Sequence, residues 1–147
     1  MKIYLDACCL NRPFDDQSQS RIRLESEAIL IIINRMHSKE WVWIGSEVLI
    51  VELENTPDFE KRGYLKALAS GIHKNITLTE VQIRRANVLE NLGFKPFDAM
   101  HISCSESANA DVFLTTDDKL QKTAKREENN LNVKIANPLS WLTEILL

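Results

Sequence analysis

The sequence has little of what marks a secreted, fibrous or membrane-spanning protein. It contains three cysteines among 147 residues, two of them adjacent at Cys8 and Cys9, and these do not form the disulfide framework of a small secreted domain. Four glycines and four prolines are too few for a collagen-like or low-complexity chain. No apolar run approaches the roughly 20 residues that cross a bilayer. We therefore expect a globular cytoplasmic protein with no membrane association.

An excess of positive charge is also absent. The formal net charge is -3, with 18 Lys and Arg against 21 Asp and Glu, so a nucleic-acid partner would have to be held by metal ions or by a local basic patch. The N-terminus reaches Asp6 without a long apolar stretch and does not predict a signal peptide. The length suits one domain with a substantial core, which we assign to residues 1–147.

Short apolar runs alternate with helical patterns along the chain. The predicted strands are 3–5, 41–44, 76–78, 112–115 and 133–135, and the predicted helices are 21–36, 47–54, 59–70, 80–92, 98–108, 118–128 and 138–146. Residues 11–16 predict a loop, and 48–51 would also suit a strand because β-branched residues favour one. The alternation predicts an α/β fold of three layers, α/β/α, with a mostly parallel central sheet.

Acidic residues follow two of the predicted strands. Asp6 comes directly after the first strand, and Asp117 follows another through Thr115 and Thr116. The carboxyl ends of neighbouring parallel strands converge on one crevice, which is the usual ligand site of open α/β sheets. Each acid would equally serve as a cap for the helix or turn that follows it. The position of either acid alone therefore leaves both interpretations open.

Two further acids lie within predicted helices. Glu52 has the apolar neighbours Val48 and Leu49 one turn earlier. A charge on the apolar side of a helix costs several kcal/mol unless it is paired or binds a cation, although a side chain at the helix edge also reaches water. Asp98 lies in a first helical turn, which the helix dipole favours. His101 shares the side of Asp98, and we expect it to orient that acid or to satisfy a core hydrogen bond rather than to act as a general base.

Four carboxylates in one crevice do not all ionise cheaply without a cation. An acidic, all-oxygen ligand set suits Mg²⁺ or Mn²⁺, and the corresponding chemistry is metal-assisted hydrolysis of a phosphodiester. A zinc site made of Cys8, Cys9, His101 and Cys104 is a weaker alternative, because adjacent cysteines are awkward ligands for a closed tetrahedron.

The order of these motifs resembles that of the PIN domain, the fold of VapC-type toxin ribonucleases. The resemblance rests on Asp6 after the first strand, Ser46 followed by Glu52, Asp98 in FDAMH and Asp117 in LTTDDKL. It covers nearly the whole chain, from Met1 to the strand near Ile135. It implies that the four acids bind Mg²⁺ or Mn²⁺, that Thr115 or Thr116 helps to position metal or phosphate, and that the substrate is RNA.

The chain departs from the family pattern at two places. Many family members have Thr, Ser or Asn just after the first acid, whereas this chain has Ala7, Cys8 and Cys9, and Asn11 would supply the missing polar group. The second departure is Asp118, directly beside Asp117. The sequence does not decide which of these two acids faces the metal.

Basic residues near the acids are candidates for contacts with RNA. The candidates are Lys119, Lys122 and Arg126, which share one face of a predicted helix, and Arg12, Arg21 and Arg23 near the first acid. They would guide a phosphate backbone toward the metals. Ordinary solvated helix faces explain them equally well.

The sequence thus predicts a metal-dependent ribonuclease, and the resemblance adds the role of a toxin with an antitoxin protein as its partner. The alternative is a catalytically weak PIN-like module that acts through protein binding, and a phospho-acceptor receiver domain is a more distant one. Leu30 and Ile31 make the helix 21–36 apolar on more than one face. This predicts either a sandwiched helix or a subunit contact, and we expect a homodimer.

Overall fold

The computed structural model describes residues 1–147 and contains five strands and eight α-helices. The strands are β1 (Lys2–Leu5), β2 (Val42–Ser46), β3 (Lys74–Ile76), β4 (Val112–Leu114) and β5 (Lys134–Ala136). The helices are α1 (Ala7–Asn11), α2 (Ser20–His37), α3 (Glu47–Glu54), α4 (Phe59–Ala69), α5 (Glu80–Asn91), α6 (Pro96–Ser107), α7 (Asp118–Arg126) and α8 (Pro138–Leu146). Single 3₁₀ turns cover Arg12–Phe14 and Glu128–Asn130.

All five strands form one parallel sheet in the order β3-β2-β1-β4-β5. The central strand β1 pairs with β2 on one side and with β4 on the other, so that Ile3 lies opposite both Trp43 and Val112. The chain moves outward from β1 to β3 and then returns to the other side of β1 for β4. At such a reversal a crevice opens between the carboxyl ends of the two strands, here β1 and β4.

Helices cover both faces of the sheet, which confirms the predicted three-layer α/β/α fold. The side chains of β1 alternate between two apolar cores, with Ile3 and Leu5 in one and Tyr4 in the other. Helices α1 to α4 and α8 contribute to the first core, and α5, α6 and α7 contribute to the second. All three side chains are fully buried, as expected for the central strand of a covered parallel sheet.

The longest helix, α2, has 18 residues and buries Ile29, Ile32 and Met36. Leu30 and Ile31 on its other side remain 48% and 44% exposed. The second apolar face expected from the sequence is therefore present and is open to solvent. None of the helices combines the length and apolarity that crossing a bilayer requires.

The structure differs from the sequence prediction on either side of α3. The predicted strand 76–78 is displaced to Lys74–Ile76, because Lys74 pairs with Ile44 of β2 and Leu78 instead donates its N–H to Glu47 Oε2 at 2.9 Å. Helix α1, directly after β1, was not predicted at all. The helical interpretation of α3 is confirmed over the strand alternative, and Ser46 Oγ caps it by accepting the N–H of Leu49 at 3.1 Å.

Candidate active site

Three of the four acids singled out in the sequence line two adjoining openings at the carboxyl ends of β1 and β4, and Asp6 is buried at the end of β1. Asp98 and Asp117 line a cavity of about 180 Å³, and Asp117 and Glu52 line a cleft of about 440 Å³. Asp6 is buried where β1 ends, with its N–H bonded to the last carbonyl of β4 at 3.2 Å. We call Asp6, Glu52, Asp98 and Asp117 the acidic site.

Asp6 is the most deeply buried member, at 4% exposure. Its Oδ1 accepts the N–H of Cys9 at 3.0 Å and so caps α1, and its carboxylate also accepts a hydrogen bond from Thr115. Burial raises the pKa of Asp6 from 3.8 to about 6, because the loss of hydration outweighs these two hydrogen bonds. The nearby charge of Asp98 contributes to the rise.

Asp98 and Asp117 lie at the starts of α6 and α7. Burial, followed by the charge of Asp117, raises the pKa of Asp98. Asp117 caps α7, since its Oδ1 accepts two backbone N–H groups of the first turn at 2.9 and 3.1 Å. Thr115 Oγ1 accepts the N–H of Asp117 at 3.1 Å, and the Thr115 hydroxyl also lowers the pKa of Asp6.

Glu52 is bound by His101. Its Oε2 lies 2.7 Å from His101 Nε2, and the other ring nitrogen, Nδ1, lies 2.6 Å from the hydroxyl of Tyr4. Of the two roles expected for His101 from the sequence, the structure shows the core hydrogen bond and no hydrogen bond to Asp98. Because His101 is 2% exposed and both ring nitrogens are engaged, it is poorly placed to act as a general base.

The acids retain oxygens that could bind an ion. Four carboxylate oxygens accept no hydrogen bond from the protein: Oε1 of Glu52, Oδ2 of Asp117 and both oxygens of Asp98. No three His, Cys, Asp or Glu side chains come close enough to enclose a metal. Mg²⁺ is commonly held by one or two carboxylates and keeps several waters. The donor set therefore fits an open, largely hydrated Mg²⁺ or Mn²⁺ site and does not form a closed cage.

The alternative zinc site is not formed. Cys9 donates its thiol hydrogen to the carbonyl of Leu114 at 3.3 Å, and both nitrogens of His101 bond to other side chains. Burial raises the pKa of Cys104 to about 11, so its thiol stays protonated at neutral pH. Free thiols in these surroundings behave as core residues.

Three polar residues predicted to support the site lie in two places. Asn11 and Thr116 line the larger cleft beside Cys8, and the Asn11 amide donates to the Ala7 carbonyl at 2.8 Å. Asp118 lies outside both openings of the acidic site, because Arg21 forms a two-pronged ion pair with it at 2.8 and 2.9 Å. The same arginine lowers the pKa of Asp118.

A second group of charges therefore lies next to the acidic site, and it contains its own cations. We call Arg12, Arg21, Glu25 and Asp118 the arginine cluster. Glu25 is 1% exposed and accepts from Arg12 at 2.7 and 2.9 Å and from Arg21 at 3.4 Å. Nothing in the sequence distinguishes Glu25, because its position in a helix with polar neighbours looks like that of a solvated acid.

The basic candidates for RNA contacts divide into separate groups. Lys119 is exposed and lines the smaller cavity together with two acids of the acidic site. Lys122, predicted to share its face, instead lines a groove of about 790 Å³ between α7 and β5. Arg12 and Arg126 already donate to protein groups, Arg12 to Glu25 and Arg126 to a backbone carbonyl after α5 at 3.0 Å. Arg12 also lines the larger cleft, but Glu25 engages it. Lys119 is thus the candidate that borders the acids without a protein partner.

A sequence model of the PIN domain matches residues 3–126, which include all four acids. The chain belongs to the PIN domain family. Known structures with this PIN domain's fold include a chain of VapBC2 from Rickettsia felis, bound to a DNA fragment from their promoter, with a TM-score of 0.61 and 13% identity over 93% of this chain and 98% of that chain. A chain of VapBC-1 from nontypeable Haemophilus influenzae has a TM-score of 0.56 and 14% identity over 94% and 98%. A search of curated proteins gave no match.

Tyr4 is the site-related residue that sequence reasoning missed in this PIN domain. It lies between Ile3 and Leu5 in an apolar run and reads as one more core residue of β1. Its ring does pack in the core, stacked on Phe113 with centroids 5.2 Å apart. The polar end is visible as part of the site only once the fold brings His101 to it.

Proposed function

We propose that this PIN domain is a ribonuclease that cleaves RNA with Mg²⁺ or Mn²⁺ bound at the acidic site. The observation that carries the proposal is the gathering of four carboxylates with no lysine or arginine ion-paired to any of them. Neighbouring carboxylates disfavour one another's ionised form unless a cation is present. The charge of Asp98 adds to the raised pKa of Asp6 and the charge of Asp117 adds to that of Asp98, and burial is the larger cause of both shifts. Hard divalent ions supply that cation and bridge carboxylates to phosphate.

The residues divide the work according to their surroundings. Glu52, Asp98 and Asp117 would hold the ions through the oxygens that have no protein partner. Buried Asp6 adds negative charge from the closed side of the acidic site. A bound divalent ion activates water and stabilises charge on the phosphate group. Lys119, exposed beside Asp98, offers a positive charge to the RNA backbone.

We further propose that the enzyme acts in the cytoplasm as the toxin of a toxin–antitoxin pair. The fold similarity to chains from two VapBC structures supports this role. The half-exposed Leu30 and Ile31 of α2 offer an apolar surface for a protein partner, either a second copy in a homodimer or an antitoxin protein. The same surface favours the alternative function, a catalytically weak module that works by binding a protein.

The deciding experiment measures RNA cleavage by the purified chain with Mg²⁺ or Mn²⁺, with and without chelator. We expect cleavage that the chelator abolishes and that added metal restores, and we expect Asp98→Asn to lose nearly all of it. Asp58→Asn is the matched control, because Asp58 is an exposed helix cap on α4 whose Oδ1 accepts the N–H of Lys61 at 3.0 Å, a role that asparagine retains.

Absence of both cleavage and divalent binding in the wild type would rule out the enzyme and favour the binding module. Light scattering then measures the oligomeric state directly. A strict monomer at high concentration would show that the apolar face of α2 does not join two copies.

A further inference from the structure

Three hydrogen bonds connect the start of α3 to Glu52 through side chains on three different elements. The Ser46 hydroxyl lies 2.7 Å from that of Tyr4, which lies 2.6 Å from His101 Nδ1, and His101 Nε2 lies 2.7 Å from Glu52. Ser46 and Tyr4 are fully buried and His101 nearly so. The connection leaves α3 at its N-terminal cap, passes through β1 and α6, and returns to α3 at Glu52.

The donors and acceptors along this connection have one consistent arrangement when the imidazole is neutral. The carboxylate of Glu52 only accepts, so His101 Nε2 carries the hydrogen and Nδ1 is the acceptor. Tyr4 therefore donates to Nδ1 and accepts from Ser46. Ser46 is free to donate because its oxygen already accepts the N–H of Leu49. Burial raises the pKa of Tyr4 well above 10, so the phenol keeps the hydrogen that it donates.

Glu52 depends on this contact more than the other acids depend on theirs. Asp6 and Asp117 are short side chains anchored by backbone N–H groups at helix starts. Glu52 has a longer side chain in the second turn of α3, is 36% exposed, and has His101 as its one protein hydrogen-bond partner. Without that partner its carboxylate would sample several rotamers.

We propose that His101 is a positioning residue for Glu52, held in its Nε2–H form by Tyr4 so that it fixes one oxygen of Glu52 and leaves the other for a divalent ion. The proposal rests on the proposed function, since it assigns Glu52 as a ligand. His101 lies one turn after Asp98 on α6, so its bond also ties together the two helices that carry these acids. Partners of metal-binding carboxylates typically contribute 10- to 100-fold to metal affinity.

The test measures Mn²⁺ binding by electron paramagnetic resonance, without RNA, for four variants of the full chain. His101→Leu should weaken binding roughly 10- to 100-fold, and His101→Gln should recover part of the loss because its amide also donates to Glu52. Tyr4→Phe should weaken binding by a smaller factor. The ring still stacks on Phe113, but no hydroxyl remains to hold His101 in its Nε2–H form. At saturating Mn²⁺, cleavage by Tyr4→Phe should approach that of the wild type.

Ser105→Ala is the matched control on the same helix. Ser105 is fully buried and donates to the carbonyl of Ile102 at 2.7 Å, so its loss tests the general cost of removing a buried hydroxyl from α6. We expect Ser105→Ala to leave Mn²⁺ affinity unchanged, whatever it does to thermal stability. A loss of affinity equal to that of Tyr4→Phe would show that the effect is merely structural and would overturn the proposal.

Nitrogen-15 NMR of the metal-free protein tests the hydrogen-bond arrangement by itself. The wild type should show His101 with a protonated Nε2 and an unprotonated Nδ1, and Tyr4→Phe should show a mixture of forms. A protonated Nδ1 in the wild type, or unchanged Mn²⁺ affinity in His101→Leu and Tyr4→Phe, would overturn the positioning role and leave the ribonuclease proposal standing. If the wild type itself binds no Mn²⁺, the proposed function fails instead.

Discussion

The acidic site and the arginine cluster lie side by side, and each contains a buried carboxylate. The one in the arginine cluster is paired with arginines, and the one in the acidic site has no cationic partner. Glu25 is almost completely buried, but Arg12 and Arg21 bond to both of its oxygens. Asp6 is nearly as buried and has only dipolar hydrogen bonds, from a backbone N–H and a hydroxyl. A buried carboxylate that pairs with arginines of the same chain is costly to remove, whereas the ionised form of one without a cation is disfavoured by its surroundings.

The boundary between the two groups runs between consecutive residues. Asp117 is the cap of α7 and lines both openings of the acidic site. Asp118 is the first residue of the helix and pairs with Arg21 on α2. One helical step of about 100° separates the two directions, so chemically identical neighbours belong to different environments.

Removing the buried carboxylate of the arginine cluster, that of Glu25, should have the largest effect. Glu25→Gln leaves the partly buried guanidinium of Arg12 without its main counterion, and we expect a loss of about 3 kcal/mol in the free energy of unfolding, measured by urea denaturation. Glu40→Gln is the control, because Glu40 forms an exposed pair with Arg35 at 3.4 Å and should cost under about 1 kcal/mol. Equal losses in the two variants would remove the distinction between the clusters.

Neutralising Asp6, the buried member of the acidic site, should raise the free energy of unfolding at high pH, whereas Glu25→Gln lowers it. The pKa of Asp6 is about 6 in the folded protein against 3.8 ordinarily, so the unfolded chain releases this proton first. The Asp6 contribution to stability is therefore lost as the pH rises from about 4 to about 6 and stays lost above that. In the metal-free protein Asp6→Asn should raise the free energy of unfolding at pH 8 by at most about 3 kcal/mol.

The gain from Asp6→Asn should disappear near pH 4, where Asp6 is protonated in both states. Urea titrations of the wild type and the variant in chelator, at pH 4, 6 and 8, measure this difference. Adding Mg²⁺ at pH 8 should stabilise the wild type more than the variant, because the variant keeps Glu52, Asp98 and Asp117 but lacks the charge of Asp6. A variant less stable than the wild type at pH 8 would show that burial does not dominate at this position.

The adjacent acids give the sharpest test of where the boundary lies. Asp117→Asn keeps the cap of α7 but removes a charge from the acidic site, and we expect RNA cleavage to fall at least about 100-fold, since a ligand counts for more than its outer partners. Asp118→Asn breaks only an exposed pair with Arg21 and should retain cleavage within about threefold. Rates at saturating Mn²⁺ compare the two, and the reverse ranking would assign Asp118 to the site.

The smallest effect concerns the exposed lysines of α7. Lys119→Gln removes one of the two lysine charges that line the cavity with Asp98 and Asp117, so RNA affinity should fall a few-fold and the slope of log affinity against log salt should decrease by about 1. Lys122→Gln is the matched control, because Lys122 lines the separate groove between α7 and β5. Filter binding with the inactive Asp98→Asn background measures both, and identical slopes would exclude a specific contact at Lys119.

Much of this architecture can be predicted from the order of residues along the chain. Short apolar runs at Ile3–Leu5 and 112–114 alternate with amphipathic helices, and local periodicity reports such elements because burial on both faces of a parallel sheet demands continuous apolar strands. The acids after β1 and β4 were predictable for the same reason. The strand β3 was misplaced because Lys74 and Asn75, on a sheet edge, carry no apolar signal and are ordered by pairing with β2.

Other features depend on contacts between residues far apart in the sequence. Tyr4 and His101 are separated by 97 positions, and Arg21 and Asp118 by the same number. Their partners follow from how α2 and α6 pack against the sheet, which no local pattern encodes. Residue types and spacing thus predicted the sheet, its covering helices and a group of acids. Tertiary packing alone decided which carboxylate meets an arginine, which meets a histidine and which has no cationic partner in the protein.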